Sequence, residues 1–167
     1  WERSLKCVQL QTEDEQQKKT FYSCLYRMFL FPRKFYEENQ QGQIFHYSCA
    51  DGQIHEGYMY ADNGFWDTFR TVYPFFALVI PDEMRHMLES FLQYYKESGW
   101  LPKWLCPGEW GIMPGTLIDA VLADAAAKGI LTDEALQTAL EGMLKHAEQE
   151  AGNNVQGRHG TADYIQY

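Results

Sequence analysis

The sequence has no apolar run near the roughly 18 residues that a membrane-spanning helix needs, and its densest apolar stretch, Val72 to Ile80, contains Pro74. It also lacks positive charge: 14 Lys and Arg stand against 23 Asp and Glu, a formal net charge of −9. Duplex nucleic acid and anionic membranes both reward a basic surface, so neither is expected as a partner. No Cys-x-x-Cys pair and no zinc-type histidine spacing is present; Cys7, Cys24, Cys49 and Cys106 are scattered, and buried free thiols are expected in preference to disulfides. The P-loop, dinucleotide-binding, Gly-x-Ser-x-Gly and His-Glu-x-x-His patterns are missing. The chain opens on Trp1-Glu2, with neither Met nor an apolar leader, so a segment of a longer protein is expected and the compartment stays open.

What the chain has in abundance is aromatic surface to bury. Aromatic residues make up 16%, as five Trp, eleven Tyr and ten Phe. With 46% hydrophobic and 22% charged residues over 167 positions, one folded unit spanning 1–167 is expected, not a disordered chain.

Periodicity predicts mostly helix. A helix over 12–30 follows from Phe21, Leu25, Met28 and Phe29 at helical spacing, with Thr12 and Glu15 as a capping box and Pro32 as the stop. From Gln40 to Phe65 that period is lost, and Asp51-Gly52 between short apolar runs predicts a small β-hairpin excursion. Helical spacing returns at Trp66, Phe69, Val72 and Tyr73, with Pro74 bending or splitting the element. Pro81-Asp82-Glu83 starts a cleaner helix that turns Met84, Met87, Leu88, Phe91, Leu92 and Tyr95 inward and ends at Gly99. Two more follow, capped by Thr116 and Thr132 and joined at Gly129. The expected class is mainly α.

The chemistry is expected in the 100–115 loop, which packs three Pro, three Gly and three Trp around a single acid, Glu109. Aromatic faces suit the C–H faces of a sugar ring, and apolar walls raise a carboxyl pKa by desolvating its charged form. A glutamic acid kept protonated near neutrality is what a glycosidase general acid must be. The bland alternative makes Trp100, Trp104 and Trp110 core plugs and Glu109 a solvated acid. Asp67 and Arg70, three apart on a nascent helix beside Trp66, could grip sugar hydroxyls, or could simply start that helix and pair at its surface. Asp119 could face the same loop as Glu109. The five histidines show no ligand spacing.

Four segments then carry a resemblance: Phe21 to Arg27, Gly64-Phe65-Trp66-Asp67-Thr68-Phe69-Arg70, Leu101-Pro102-Lys103-Trp104, and Glu109 to Met113 with Gly115 and Ala123-Asp124-Ala125. In order and spacing they resemble the catalytic domain of glycoside hydrolase family ninety-two, over effectively the whole chain. That family comprises calcium-dependent, inverting exo-α-mannosidases. The resemblance implies part of an α/α toroid, a six-hairpin barrel, of which this chain would supply about half. It further implies an N-terminal β-sandwich before Trp1 and helices after Tyr167 that carry the aspartate base. Glu109 would be the general acid, and Trp66, Asp67 and Trp104 would line a mannose pocket, with Arg70 and Trp110 as further substrate-binding candidates. Calcium is implied as cofactor, with ligands that cannot be named in this chain. The implied partners are mannose-containing glycans, of α-1,2 type, and the remainder of the enzyme or a second copy. Many members carry Asn-Glu-Thr and Gly-Tyr-His-Ser where this sequence has Gly108-Glu109-Trp110 and Gly115-Thr116-Leu117-Ile118, so the contacts that set linkage preference must differ. Another α/α-toroid glycosidase, or a non-catalytic helical fragment that binds carbohydrate weakly, are the competing readings.

Overall fold

The computed structural model describes residues 1–113, 115–153 and 155–166. Its frame is helical: α1 (Glu2–Leu5), α2 (Glu15–Met28), α3 (Phe65–Thr68), α4 (Val72–Val79), α5 (Pro81–Ser98), α6 (Ile118–Ala127), α7 (Asp133–Glu148) and α8 (Thr161–Gln166). Seven short strands are set among these: β1 (Arg33–Lys34), β2 (Glu37–Glu38), β3 (Ile44–Tyr47), β4 (Ile54–Glu56), β5 (Tyr60–Ala61), β6 (Asn63–Gly64) and β7 (Trp104–Leu105).

The predicted hairpin is β3–β4, with His46 opposite His55, and it closes through Ser48 N–H to the Gln53 carbonyl at 2.8 Å. The excursion is larger than one hairpin, because β2 adds to β3 while β1 pairs with β5 and β6 with β7, all antiparallel. The β6–β7 pair corrects the expectation of a structureless 100–115 loop.

Two caps also differ from expectation. Asp14, not Thr12, starts α2: its Oδ1 accepts from Gln16 N–H at 2.8 Å and Gln17 N–H at 3.1 Å, while Thr12 Oγ1 accepts from Asp14 N–H and donates to Gln17 Oε1. A carboxylate is the better acceptor at the positive end of a helix. At α6 the N-cap is Leu117 and makes no side-chain bond, and Thr116 stands outside with its carbonyl accepting from Asp119 N–H. Thr132 does cap α7, its Oγ1 accepting from Ala135 N–H at 3.3 Å. Pro74 falls in the first turn of α4, where its missing N–H costs no helical bond; the break lies just before, between Phe69 and Thr71.

The core lies on α5. Met84, Met87, Leu88, Phe91 and Leu92 are buried as predicted, but Tyr94 joins them and Tyr95 is only half-buried. Phe65 meets Phe91 edge-on at 5.1 Å between ring centres and stacks on Tyr73 at 5.8 Å, which anchors the short α3 to α5. At the hairpin end of α5, buried His46 donates from Nδ1 to the Gly57 carbonyl and sets Nε2 2.9 Å from Glu97 Oε1, tying β3 to the helix. All four cysteines are free, as expected, but none is buried: Cys24 and Cys49 are exposed, Cys7 and Cys106 half-buried. Among the described residues no helix is long and apolar enough to cross a membrane.

Candidate active site

A cavity of about 600 Å³ opens where β6 and β7 meet the start of α3. Trp104, Phe31 and Cys106 form its apolar side, and Asp67, Thr68 and Asn63 its polar side, with Arg33 and Asp62 at the edge. Its size suits one or two sugar rings. Gly64 makes the wall possible: a Cβ there would stand 1.9 Å from Cε3 and Cζ3 of Trp104, so only glycine lets the indole pack onto β6. Thr68 Oγ1 donates to the Gly64 carbonyl at 3.0 Å and fixes the first turn of α3 under it. Asp62 turns the chain at φ 57° between β5 and β6 and ion-pairs with Arg33 on β1. The Asp62 carboxylate beside the Cys106 thiol pushes that thiol up, so it stays protonated at neutral pH.

Glu109 stands behind Trp104 and does not line the cavity. Trp110 N–H bonds back to the Trp104 carbonyl at 3.0 Å, which folds the loop so that the Glu109 carboxyl returns to β7. There Oε1 accepts from Trp104 N–H at 3.0 Å and Gly111 N–H at 3.0 Å, and Oε2 accepts from Lys103 N–H at 2.6 Å. Gly111 adopts φ 63°, and a Cβ there would stand 2.5 Å from the Val155 backbone, so the third donor depends on glycine. Two carboxyl oxygens offer about four lone-pair sites. Three N–H donors, that of Trp104 shared between Oε1 and Oε2 (3.3 Å to the latter), fall one short of these four sites and leave room on the carboxyl for a proton. Burial raises the pKa of Glu109 above the usual carboxylate range, against the three N–H bonds and the charge of Lys103, which pull it down. The phenol of buried Tyr94 packs against Glu109, and burial, with the Glu109 charge second, pushes it up to about 12.

Of the residues expected from sequence, Asp67 and Trp104 line the cavity, and Glu109 adjoins it through the Trp104 backbone. Trp66, Arg70 and Trp110 lie outside that lining. Arg70 turns away from Asp67 and lies over Phe69 and Trp66, 4.8 Å and 5.9 Å from the ring centres. Trp110 is 58% exposed. Trp100 is half-buried away from the main core, stacked on buried His146 at 6.0 Å with Lys145 Nζ 4.5 Å from its ring. Asp119 is held by His146 Nδ1 at 2.8 Å, beneath Trp100. Arg33, Asp62, Asn63 and Thr68 complete the cavity and were not anticipated: Asp62-Asn63-Gly64 reads in sequence as a turn, but only Asp62 bends the chain and Asn63–Gly64 form β6, while Arg33 reaches Asp62 from 29 residues away.

The family model described as the glycosyl hydrolase family 92 catalytic domain matches residues 1–167. The chain belongs to family 92. Among solved structures, a family 92 inverting mannosidase from Bacteroides thetaiotaomicron VPI-5482 superposes with a TM-score of 0.94 at 42% identity, over 99% of this chain and 22% of its own. A second family 92 alpha-mannosidase from the same species, in complex with mannoimidazole, gives 0.77 at 30% identity over 92% of this chain and 20% of its own. The uncomplexed form of that enzyme gives 0.78 at 29% identity. No curated protein matches. The chain thus spans about a fifth of the length of these family 92 relatives.

Proposed function

We propose that the intact protein is an inverting exo-α-mannosidase that removes terminal α-linked mannose, of α-1,2 type, from glycans, with Glu109 as its general acid. The observation that carries this reading is the Glu109 carboxyl, largely desolvated, clamped by three N–H groups and left with one proton site beside the wall of a sugar-sized cavity. Glu109 gives its proton to a glycosidic oxygen that reaches past Trp104 from the cavity, as the bond from that oxygen to the anomeric carbon breaks. The three N–H donors then hold the carboxylate left behind, so the environment that keeps the acid protonated also accepts its charge. A sugar ring in the cavity would lie on Trp104 and give hydroxyls to Asp67. Water attacks the opposite face, and its proton goes to an aspartate base assigned to the protein beyond this chain, roughly 6.5–9.5 Å from the acid. Trp66, Arg70 and Trp110 are assigned to outer contacts with the glycan.

The toroid is part of the same proposal. Helix α7 presents Leu140, 54% exposed, and Leu144, 46% exposed, one turn apart, and α4 presents Leu78 at 78%. Such faces suit the neighbouring hairpins of a ring, and a second copy of the chain is the other candidate to cover them. The calcium implied by the family finds no home in these residues: no group of three or more His, Cys, Asp or Glu converges among the described residues, and Asp62 at the cavity is committed to Arg33. No step is assigned to it.

Asp67 gives the test of the cavity. It is exposed, caps nothing and enters no ion pair among the described residues. Asp67→Ala in the intact protein should slow turnover or raise KM by about 10-fold or more, as expected for a lost hydrogen bond to a ligand, while the thermal midpoint stays within a degree or so. A drop in the midpoint with unchanged kinetics would make Asp67 a helix-start residue and remove it from the site. The pH profile gives an independent check. The acid works only when protonated, so kcat should fall as pH rises through the Glu109 pKa, with this limb above the usual carboxylate value of about 4.3.

A further inference from the structure

Lys103 is only 5% exposed, in the Leu101-Pro102-Lys103-Trp104 segment, yet its ammonium enters no ion pair or side-chain hydrogen bond among the described residues. The stem is buried while Nζ still reaches solvent, so the charge is partly screened and has no fixed counter-ion. Its own backbone N–H holds Glu109 Oε2 at 2.6 Å, an oxygen that Trp104 N–H also reaches at 3.3 Å. The other titratable groups around Glu109 carry no charge at neutral pH. Tyr94 comes from α5 with a phenol pushed up to about 12. Cys49, in the β3–β4 turn, packs 3.4 Å from the Cβ position of Gly108, and burial pushes its thiol up. Lys103 is therefore the cation that Glu109 faces.

We propose that Lys103 is a positioning residue for Glu109, its half-hidden cation lacking a counter-ion until Glu109 gives up its proton and becomes that counter-ion. This rests on the reading of Glu109 as general acid. With the acid loaded, Lys103 faces a neutral carboxyl; as the proton passes to the leaving oxygen, an opposite charge develops opposite it. The attraction grows along the reaction coordinate, and only interactions that do so raise kcat. The same attraction makes the proton easier to lose in the resting enzyme, so Lys103 narrows the pH range over which the acid is loaded while strengthening it as a donor. Burial governs both groups, lowering the Lys103 pKa and raising that of Glu109, and the attraction between the two opposes it at each.

The test uses the intact protein with Lys103→Met, which keeps length and apolar volume, and Lys103→Arg, which keeps the charge. Lys103→Met should move the alkaline limb of kcat to higher pH, to about three-fold lower proton concentration or beyond, and lower kcat on poor leaving groups more than on activated aryl glycosides. Lys103→Arg should restore both. Carbon NMR titration of the labelled Glu109 carboxyl should show the same displacement and needs no turnover. An unmoved Glu109 titration in Lys103→Met overturns the role of Lys103. An alkaline limb that survives in Glu109→Gln overturns the acid assignment itself, whatever Lys103 does.

Discussion

Glu109→Gln in the intact protein should cut turnover of glycosides with poor leaving groups by about two to four powers of ten, and should spare substrates with an activated aryl leaving group far more. An aryl oxide of low basicity departs with little protonation, so the acid has little left to supply. The substitution is not innocent for the loop. Gln has one acceptor oxygen where the carboxyl has two, and its amide would point N–H against one of the three donors from Lys103, Trp104 and Gly111. A buried unpaired donor costs about 1–3 kcal/mol, so a fall in thermal midpoint is expected beside the kinetic loss. The aryl substrate separates the two effects: retained turnover shows the cavity intact and only the proton missing. Equal loss on both substrates would point to a loop that has lost its shape, and would make Glu109 a structural keystone and not the acid.

Much of this was legible in the sequence wherever the physics is local. Pro81 and the acids after it start α5, its apolar residues recur at the helical period, and Gly99 ends it in the left-handed conformation at φ 79°. The aromatic loop around Glu109 was marked by composition, and Asp67 and Trp104 by their motifs. The misses have two causes. Thr12 and Thr116 are acceptable caps by residue type, but a cap is chosen by which side chain reaches the free N–H groups, and Asp14 reached first at α2. The second cause is distance along the chain. Strand β6 pairs with β7 from 40 to 42 positions away, Asn63 opposite Leu105 and Gly64 opposite Trp104, and two residues of a strand leave no period to detect. That pairing turns Asp62-Asn63-Gly64 from a turn into the floor of the cavity, and the β1–β5 pair, Arg33 opposite Ala61, brings Arg33 to the edge. The β6–β7 pair also separates the three tryptophans that look equivalent in sequence: Trp104 is paired into the wall, Trp100 stacks inward on His146, and Trp110 is left outside.

Gly64→Ala should therefore damage the site more than any other single methyl group. The added Cβ would meet Cε3 and Cζ3 of Trp104 at 1.9 Å, and these are atoms of a rigid ring on a paired strand, not the end of a flexible chain. Either the indole leaves β6 or the β6–β7 pair opens. Overpacking of this kind costs about 1–3 kcal/mol, or roughly 2–12 °C in the midpoint of a domain this size. The catalytic cost is expected to be larger than the stability cost suggests. Trp104 walls the cavity with its side chain and holds Glu109 Oε1 with its N–H at 3.0 Å, so displacing it would move both the proposed sugar platform and the proposed acid. A misplacement of about 1 Å is worth roughly 100-fold in rate. A second variant identifies the cause. Gly64→Ala combined with Trp104→Ala removes the clash and should recover much of the lost midpoint while activity stays lost, because the platform is gone. Recovery of both would show that Gly64 matters only to folding, and that the indole is not what the sugar rests on.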